Sequence, residues 1–106
     1  MHEYELRYLP KFHEDLKQHV LYIAQRLKNP QAANDLIDST EAAILERLPE
    51  AEAFERFNSR KERQYPYYRI YVKNFIVFYV VIPENGKKVM EIRRFLFGKS
   101  NWKRTI

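Results

Sequence analysis

Few side chains in this 106-residue sequence suit acid–base, nucleophilic or metal chemistry. The three histidines, His2, His13 and His19, lie together near the start of the chain. His13 and His19 stand about 240° apart around a helix axis, so they do not share the face that an i, i+4 metal pair requires. No cysteine is present, which removes thiolate zinc sites, thiol nucleophiles and disulfides and fits a reducing compartment. Ser39, Ser59 and Ser100 have no base close in sequence, and the glycines Gly86 and Gly98 form no phosphate-cradling loop. Neither a metal nor a cofactor is expected.

What remains is charge. Residues 1–55 carry six Lys/Arg against eleven Asp/Glu, whereas residues 56–106 carry thirteen against three. The overall +5 therefore conceals an acidic half at −5 and a basic half at +10. Arg60, Arg63, Arg69, Lys73, Arg93, Arg94 and Lys99 are interleaved with Tyr65, Tyr67, Tyr68, Tyr71 and Trp102. Cations laced with aromatics suit a phosphate backbone with stackable bases, and the charge alone suits an acidic polypeptide equally. Any single Lys or Arg here also fits the guarding of a sheet edge, but the excess as a whole is more than edge protection requires.

Arg93 and Arg94 are neighbours in a predicted strand and so face opposite sides. If Arg94 continues the series Met90, Ile92, it lies on the apolar face and requires a partner, an internal carboxylate or a ligand. Glu91 and Arg93 then share the other face.

The elements that must position these residues follow from periodicity. Tyr4, Leu6 and Tyr8 alternate with charged residues, the pattern of a strand with one buried face. Phe12, Leu16, Val20, Ile23 and Leu27 predict an amphipathic helix from Pro10 to about Lys28. Asn29-Pro30 caps and starts a second helix, with Ala33, Leu36 or Ile37, Thr40, Ile44 and Leu48 down one side and Pro49 at its end. Residues 49–66 read as a surface loop. Tyr68–Val72 reads as a strand, Lys73-Asn74 as a tight turn, and the eight apolar residues Phe75–Ile82 as a central strand covered on both faces. Asn85-Gly86 suits a type I′ turn, Lys88–Phe97 is the returning strand, and Ser100 or Asn101 is positioned to cap a last helical turn over Trp102.

The fold class is thus α+β, a helical hairpin packed on a small, mainly antiparallel twisted sheet, as one domain over residues 1–106. The longest apolar run is too short to span a bilayer, and the amino terminus has no signal-peptide pattern, so no membrane association is expected and the cytoplasm is.

The order β-α-α-β-β-β, the stretch YRIYVKNFIVFYVV and the ending EIRRFLFGKSNWKRTI resemble the RelE/ParE superfamily of type II toxin–antitoxin toxins. The resemblance covers nearly the whole chain. It implies a growth-arresting protein of the kind encoded by plasmid-stabilising modules, neutralised by a cognate antitoxin with an acidic amphipathic segment and reaching operator DNA only through that antitoxin. Two branches differ in target. Laid on the nuclease branch, which resembles RelE, Arg69 matches a basic position. Tyr67, Ile76, Ser100 and Ile106 fall where that branch has lysine, arginine, arginine and tyrosine. The departures point to the ParE-like branch, directed at DNA gyrase. The alternatives are a ribosome-dependent mRNA endonuclease using Arg69, Lys73, Arg94, Lys99 and Tyr71, and a non-toxic nucleic-acid-binding domain. The residues expected to meet the target or antitoxin are Arg60, Arg63, Arg69, Lys73, Arg93, Arg94, Lys99 and Trp102.

Overall fold

In the computed structural model, which describes residues 3–57 and 64–106, a five-stranded sheet carries a helical hairpin on one face. Strand β1 (Tyr4–Tyr8) leads through Leu9 into helix α1 (Pro10–Leu21), with proline at the first helical position where its missing N–H costs nothing. Helix α2 (Pro30–Arg47) starts as expected: Asn29 Oδ1 accepts the Ala32 N–H at 3.1 Å, and Ala33, Leu36, Thr40 and Ile44 are its buried residues.

The first helix does not run on to Lys28 in α form. Over Tyr22–Arg26 it widens to a π-helical turn, closed by the Leu27 N–H donating to the Tyr22 carbonyl at 3.1 Å, and Lys28 ends it at φ 51°. One extra residue in a turn rotates all that follows by about 100°. Leu27, the last member of the predicted apolar stripe, is consequently 58 % exposed.

The loop after α2 holds a 3₁₀ turn (Leu48–Glu50) and a two-residue strand, β2 (Arg56–Phe57), which the sequence pattern did not reveal. Strands β3 (Tyr67–Val72), β4 (Phe75–Glu84) and β5 (Lys87–Phe97) form the meander, giving the order β1-β5-β4-β3-β2. All pairs are antiparallel except β1 with β5. Asn85 and Gly86, at φ 52° and 78°, make the two-residue turn with both φ values positive, as a type I′ turn needs.

Strand β4 is central and covered on both sides: Val77, Phe78, Tyr79 and Val80 have no exposed surface. Val77 and Tyr79 enter the core under the helices with Phe12, Leu36, Ile44, Met90, Ile92 and Phe95. Ile76, Phe78 and Val80 enter a second core on the opposite face, closed by Tyr67, Trp102 and Ile106. Trp102 sits on α3 (Trp102–Thr105), whose return across the sheet explains why an eight-residue apolar run needs no second helical layer. The expected cap differs: Asn101 precedes α3 without a side-chain capping bond, and the Ser100 hydroxyl donates to the Phe97 carbonyl at 2.6 Å.

A β-bulge interrupts β4·β5. Tyr79 pairs with Ile92 and Phe78 with Arg94, leaving Arg93 as the extra residue. Alternation is reset there, so Phe95, and not Arg94, continues the Met90, Ile92 series in the core beneath the helices.

Candidate functional site

The basic half can be sorted by what each cation meets. Arg94 is held by Asp15 of α1, with Nε at 2.7 Å from Oδ2 and an Nη at 3.1 Å from Oδ1. Asp15, 5 % exposed, also accepts the Phe95 backbone N–H at 3.0 Å. Hydrogen bonding to Asp15 raises the Arg94 pKa against the opposing effect of burial. Of the two expected partners, an internal carboxylate or a ligand, the fold supplies the carboxylate.

Arg93 and Glu91 share the second face. Glu91 is buried, and both of its carboxylate oxygens are taken: Oε1 by Arg93 at 2.9 Å, and Oε2 by Arg7 at 2.7 Å. Arg7 reaches Glu84 as well, at 2.9 Å, and Arg93 lies 5.9 Å over the Tyr67 ring. At the start of β5, Lys87 pairs with Glu5 at 3.0 Å and Lys88 with Glu52 at 2.7 Å. Tyr4 donates to the same Glu52 oxygen, and burial together with that carboxylate pushes its phenol up to about 12.

Arg47, at the end of α2, was not singled out from sequence. Its Nη1 donates to the Arg69 carbonyl at 3.2 Å and to the Tyr79 hydroxyl at 3.0 Å, with its guanidinium 3.4 Å over the Phe54 ring. Tyr79 in turn donates to the Ala51 carbonyl at 2.7 Å. Burial raises the Tyr79 phenol pKa, with Arg47 opposing. No pattern flags this cluster, because its members come from four separate stretches of chain.

Among the described residues, Arg69, Lys73, Lys99, Lys103 and Arg104 form no ion pair with a carboxylate. Arg69 lies 5.2 Å over Phe57 and 5.9 Å over Tyr71, whose ring is 65 % exposed. Lys73 and Lys99 are brought to one end of the sheet by the Gly98 N–H donating to the Asn74 carbonyl at 2.8 Å. Glycine suits this close approach, since a Cβ at position 98 would fall 3.1 Å from that carbonyl oxygen, a tight contact. Arg60 and Arg63 lie outside the described residues.

Trp102 is 8 % exposed, its indole N–H donating to the Gly98 carbonyl at 3.2 Å and its ring against Phe57 and Phe78. It anchors α3 over the second core. Ile76 and Ile106, at positions where the nuclease branch has arginine and tyrosine, are buried in that same core. His13 packs against Tyr8 and Phe12, and His19 against Phe75 and Phe95, so the two stand at separate places along α1. A groove of about 370 Å³ between the helices is lined by Tyr8, Phe12, Leu16, Thr40 and Ile44 among others. No helix among the described residues is long and apolar enough to cross a membrane.

No curated protein matches the sequence. The family model for the ParE toxin of the type II toxin–antitoxin system, parDE, matches residues 6–102. That match takes in the end of β1, the helical hairpin, the whole meander and Trp102, and the chain belongs to the ParE toxin family of type II toxin–antitoxin systems.

Proposed function

We propose that this toxin arrests growth by binding DNA gyrase and not by cutting RNA. The observation that carries the reading is the second core: where a nuclease of this fold places an arginine and a tyrosine, Ile76 and Ile106 pack together beneath Trp102. Cleavage through a 2′-hydroxyl calls for a group to take its proton, a cation on the phosphate and an acid for the leaving oxygen. Hydrocarbon fills two of those places. Arg94 is engaged by Asp15, and Glu91, the one carboxylate near in sequence, has both oxygens taken by arginines. Arg69, Lys73, Lys99 and Tyr71 remain as groups able to touch RNA, but without a paired general base and acid.

Family membership implies an antitoxin partner. An acidic, amphipathic antitoxin segment suits this molecule because it offers unpaired cations on the sheet and apolar side chains, Leu45 and Phe54 among them, exposed beside the hairpin. Such a segment folds as it binds, and salt mainly slows its association.

The test is pulse-labelling of DNA and protein synthesis in bacteria minutes after the chain is induced without antitoxin. DNA synthesis falling first, with the damage response switched on, supports gyrase as target. Protein synthesis falling first overturns that reading in favour of the ribosome-dependent endonuclease.

A further inference from the structure

The acidic and basic halves partly neutralise each other: Asp15 takes Arg94, Glu52 takes Lys88 and Glu5 takes Lys87. Among the described cations of the basic half, Arg56 and Arg69 are left over beside aromatic side chains on β2 and β3, and four more lie where the end of the sheet meets α3. Lys73 and Lys99 flank the Asn74–Gly98 hydrogen bond, and Lys103 and Arg104 follow on α3, which Trp102 ties to the Gly98 carbonyl. All four are exposed, and none pairs with a carboxylate among the described residues. Their backbone is fixed, since Gly98 abuts Asn74 and Ile106 is buried beneath the helix that carries Lys103 and Arg104.

The company these cations keep decides their partner. Exposed Asn74, Ser100 and Asn101 stand among them, which are the polar types that hydrogen-bond to phosphate oxygens beside Lys and Arg. The large exposed hydrophobics of the described chain, Leu21, Tyr22, Leu27, Leu45, Phe54 and Tyr71, all lie outside these two segments. A folding peptide would need apolar anchors here, and a single strand would need aromatic faces for its bases. Tyr71, two residues before Lys73, is the one such ring nearby, the stretch from Gly98 to Arg104 exposes none, and a duplex backbone asks for neither.

We infer that Lys73, Lys99, Lys103 and Arg104 form a contact surface for the phosphate backbone of duplex DNA, which this toxin touches directly and without sequence preference. The surface goes beyond the gyrase reading and does not depend on it. It amends the expectation that DNA is reached only through the antitoxin, and it would let a gyrase-directed protein hold the DNA that gyrase itself holds.

The test is fluorescence anisotropy of the purified full-length chain with a labelled 20-base-pair duplex of arbitrary sequence, titrated at several salt concentrations. Four phosphate contacts give a log–log salt slope of about −3.6, so affinity falls about a hundredfold between 50 and 200 mM salt. Lys99→Gln and Lys103→Gln each lower the slope by about 0.9, and the variant with all four residues changed to glutamine loses binding. Binding is unchanged by Lys17→Gln on α1 with Arg26→Gln in the π-helical turn that follows. The inference is overturned if the fourfold variant binds as the parent does, if the single changes leave the slope unaltered, or if a single-stranded 20-mer binds more tightly. It is overturned equally if polyglutamate binds the patch and the duplex does not, which would make the partner an acidic protein.

Discussion

Asp15 grips the Arg94 guanidinium with both carboxylate oxygens, at 2.7 and 3.1 Å, and with one of them also takes the Phe95 N–H. Strand β1 pairs with β5 only as far as Ile92, so the Phe95 N–H has no strand partner on that side. A side chain from α1 replaces the missing strand. It locks helix to sheet at the place where the bulge has shifted the register.

Replacing Asp15 therefore removes three hydrogen bonds and leaves a partly buried guanidinium uncompensated. Asp15→Ala is expected to cost about 3 kcal/mol in urea unfolding. Asp15→Asn keeps an acceptor for Phe95 and costs less. In the double variant Asp15→Ala, Arg94→Met the loss is smaller than the sum of the two single losses, because the orphaned charge has gone. Additive losses would show that the pair is not coupled.

Arg47 joins the end of α2 to β3, β4 and the loop carrying Phe54. Arg47→Met loses two hydrogen bonds and the stacked cation, and is expected to cost about 2 kcal/mol in denaturant midpoint analysis. Arg47→Lys recovers only part of this, since an ammonium can donate to both acceptors but cannot stack flat on Phe54 as the planar guanidinium does. Full recovery by lysine would show that only the charge matters.

The second core should be structural. Ile106→Ala is expected to cost about 2 kcal/mol and Trp102→Ala about 3 kcal/mol, both measured by thermal unfolding. Ile76→Arg, which restores the nuclease-type residue, buries an unpaired charge and should unfold the protein before it yields any cleavage of mRNA. Stable, mRNA-cutting Ile76→Arg protein would sink the structural reading.

Local chemistry was legible in the chain wherever period or turn type fixes it. The alternation at Tyr4–Tyr8, the Asn29-Pro30 start, the Asn85-Gly86 turn and the two-sided burial of β4 are all local patterns, and each is present. The π turn was hidden because Leu27 keeps the apolar spacing that the backbone then abandons. The bulge was hidden because Arg93-Arg94 alternates as well with an extra residue as without one. The site was legible as an excess of cations but not in its division. Arg94 and Asp15 are 79 residues apart, and only the fold shows that much of the basic half is balanced from within. The basic-half cations without a carboxylate partner, Arg56, Arg69, Lys73, Lys99, Lys103 and Arg104 among the described residues, emerge only after those pairs are subtracted.

His19 supplies the clearest pH dependence. Its imidazole, half-buried on α1 with its ring 4.7 Å from Phe75 and 5.9 Å from Phe95, has a lowered pKa, chiefly because burial disfavours the charged ring while Asp15 opposes. In the unfolded chain the group titrates at about 6.5. Above that pH the ring is neutral in both states and full stability is present. As pH falls below it the unfolded chain takes up the proton first, so stability is lost until the folded-state pKa is passed. Unfolding midpoints in urea, measured at pH 7.5 and at pH 5, should therefore drop more for the parent than for His19→Phe, which has no proton to bind. An equal drop in both would show that the histidine is not the source of the acid sensitivity.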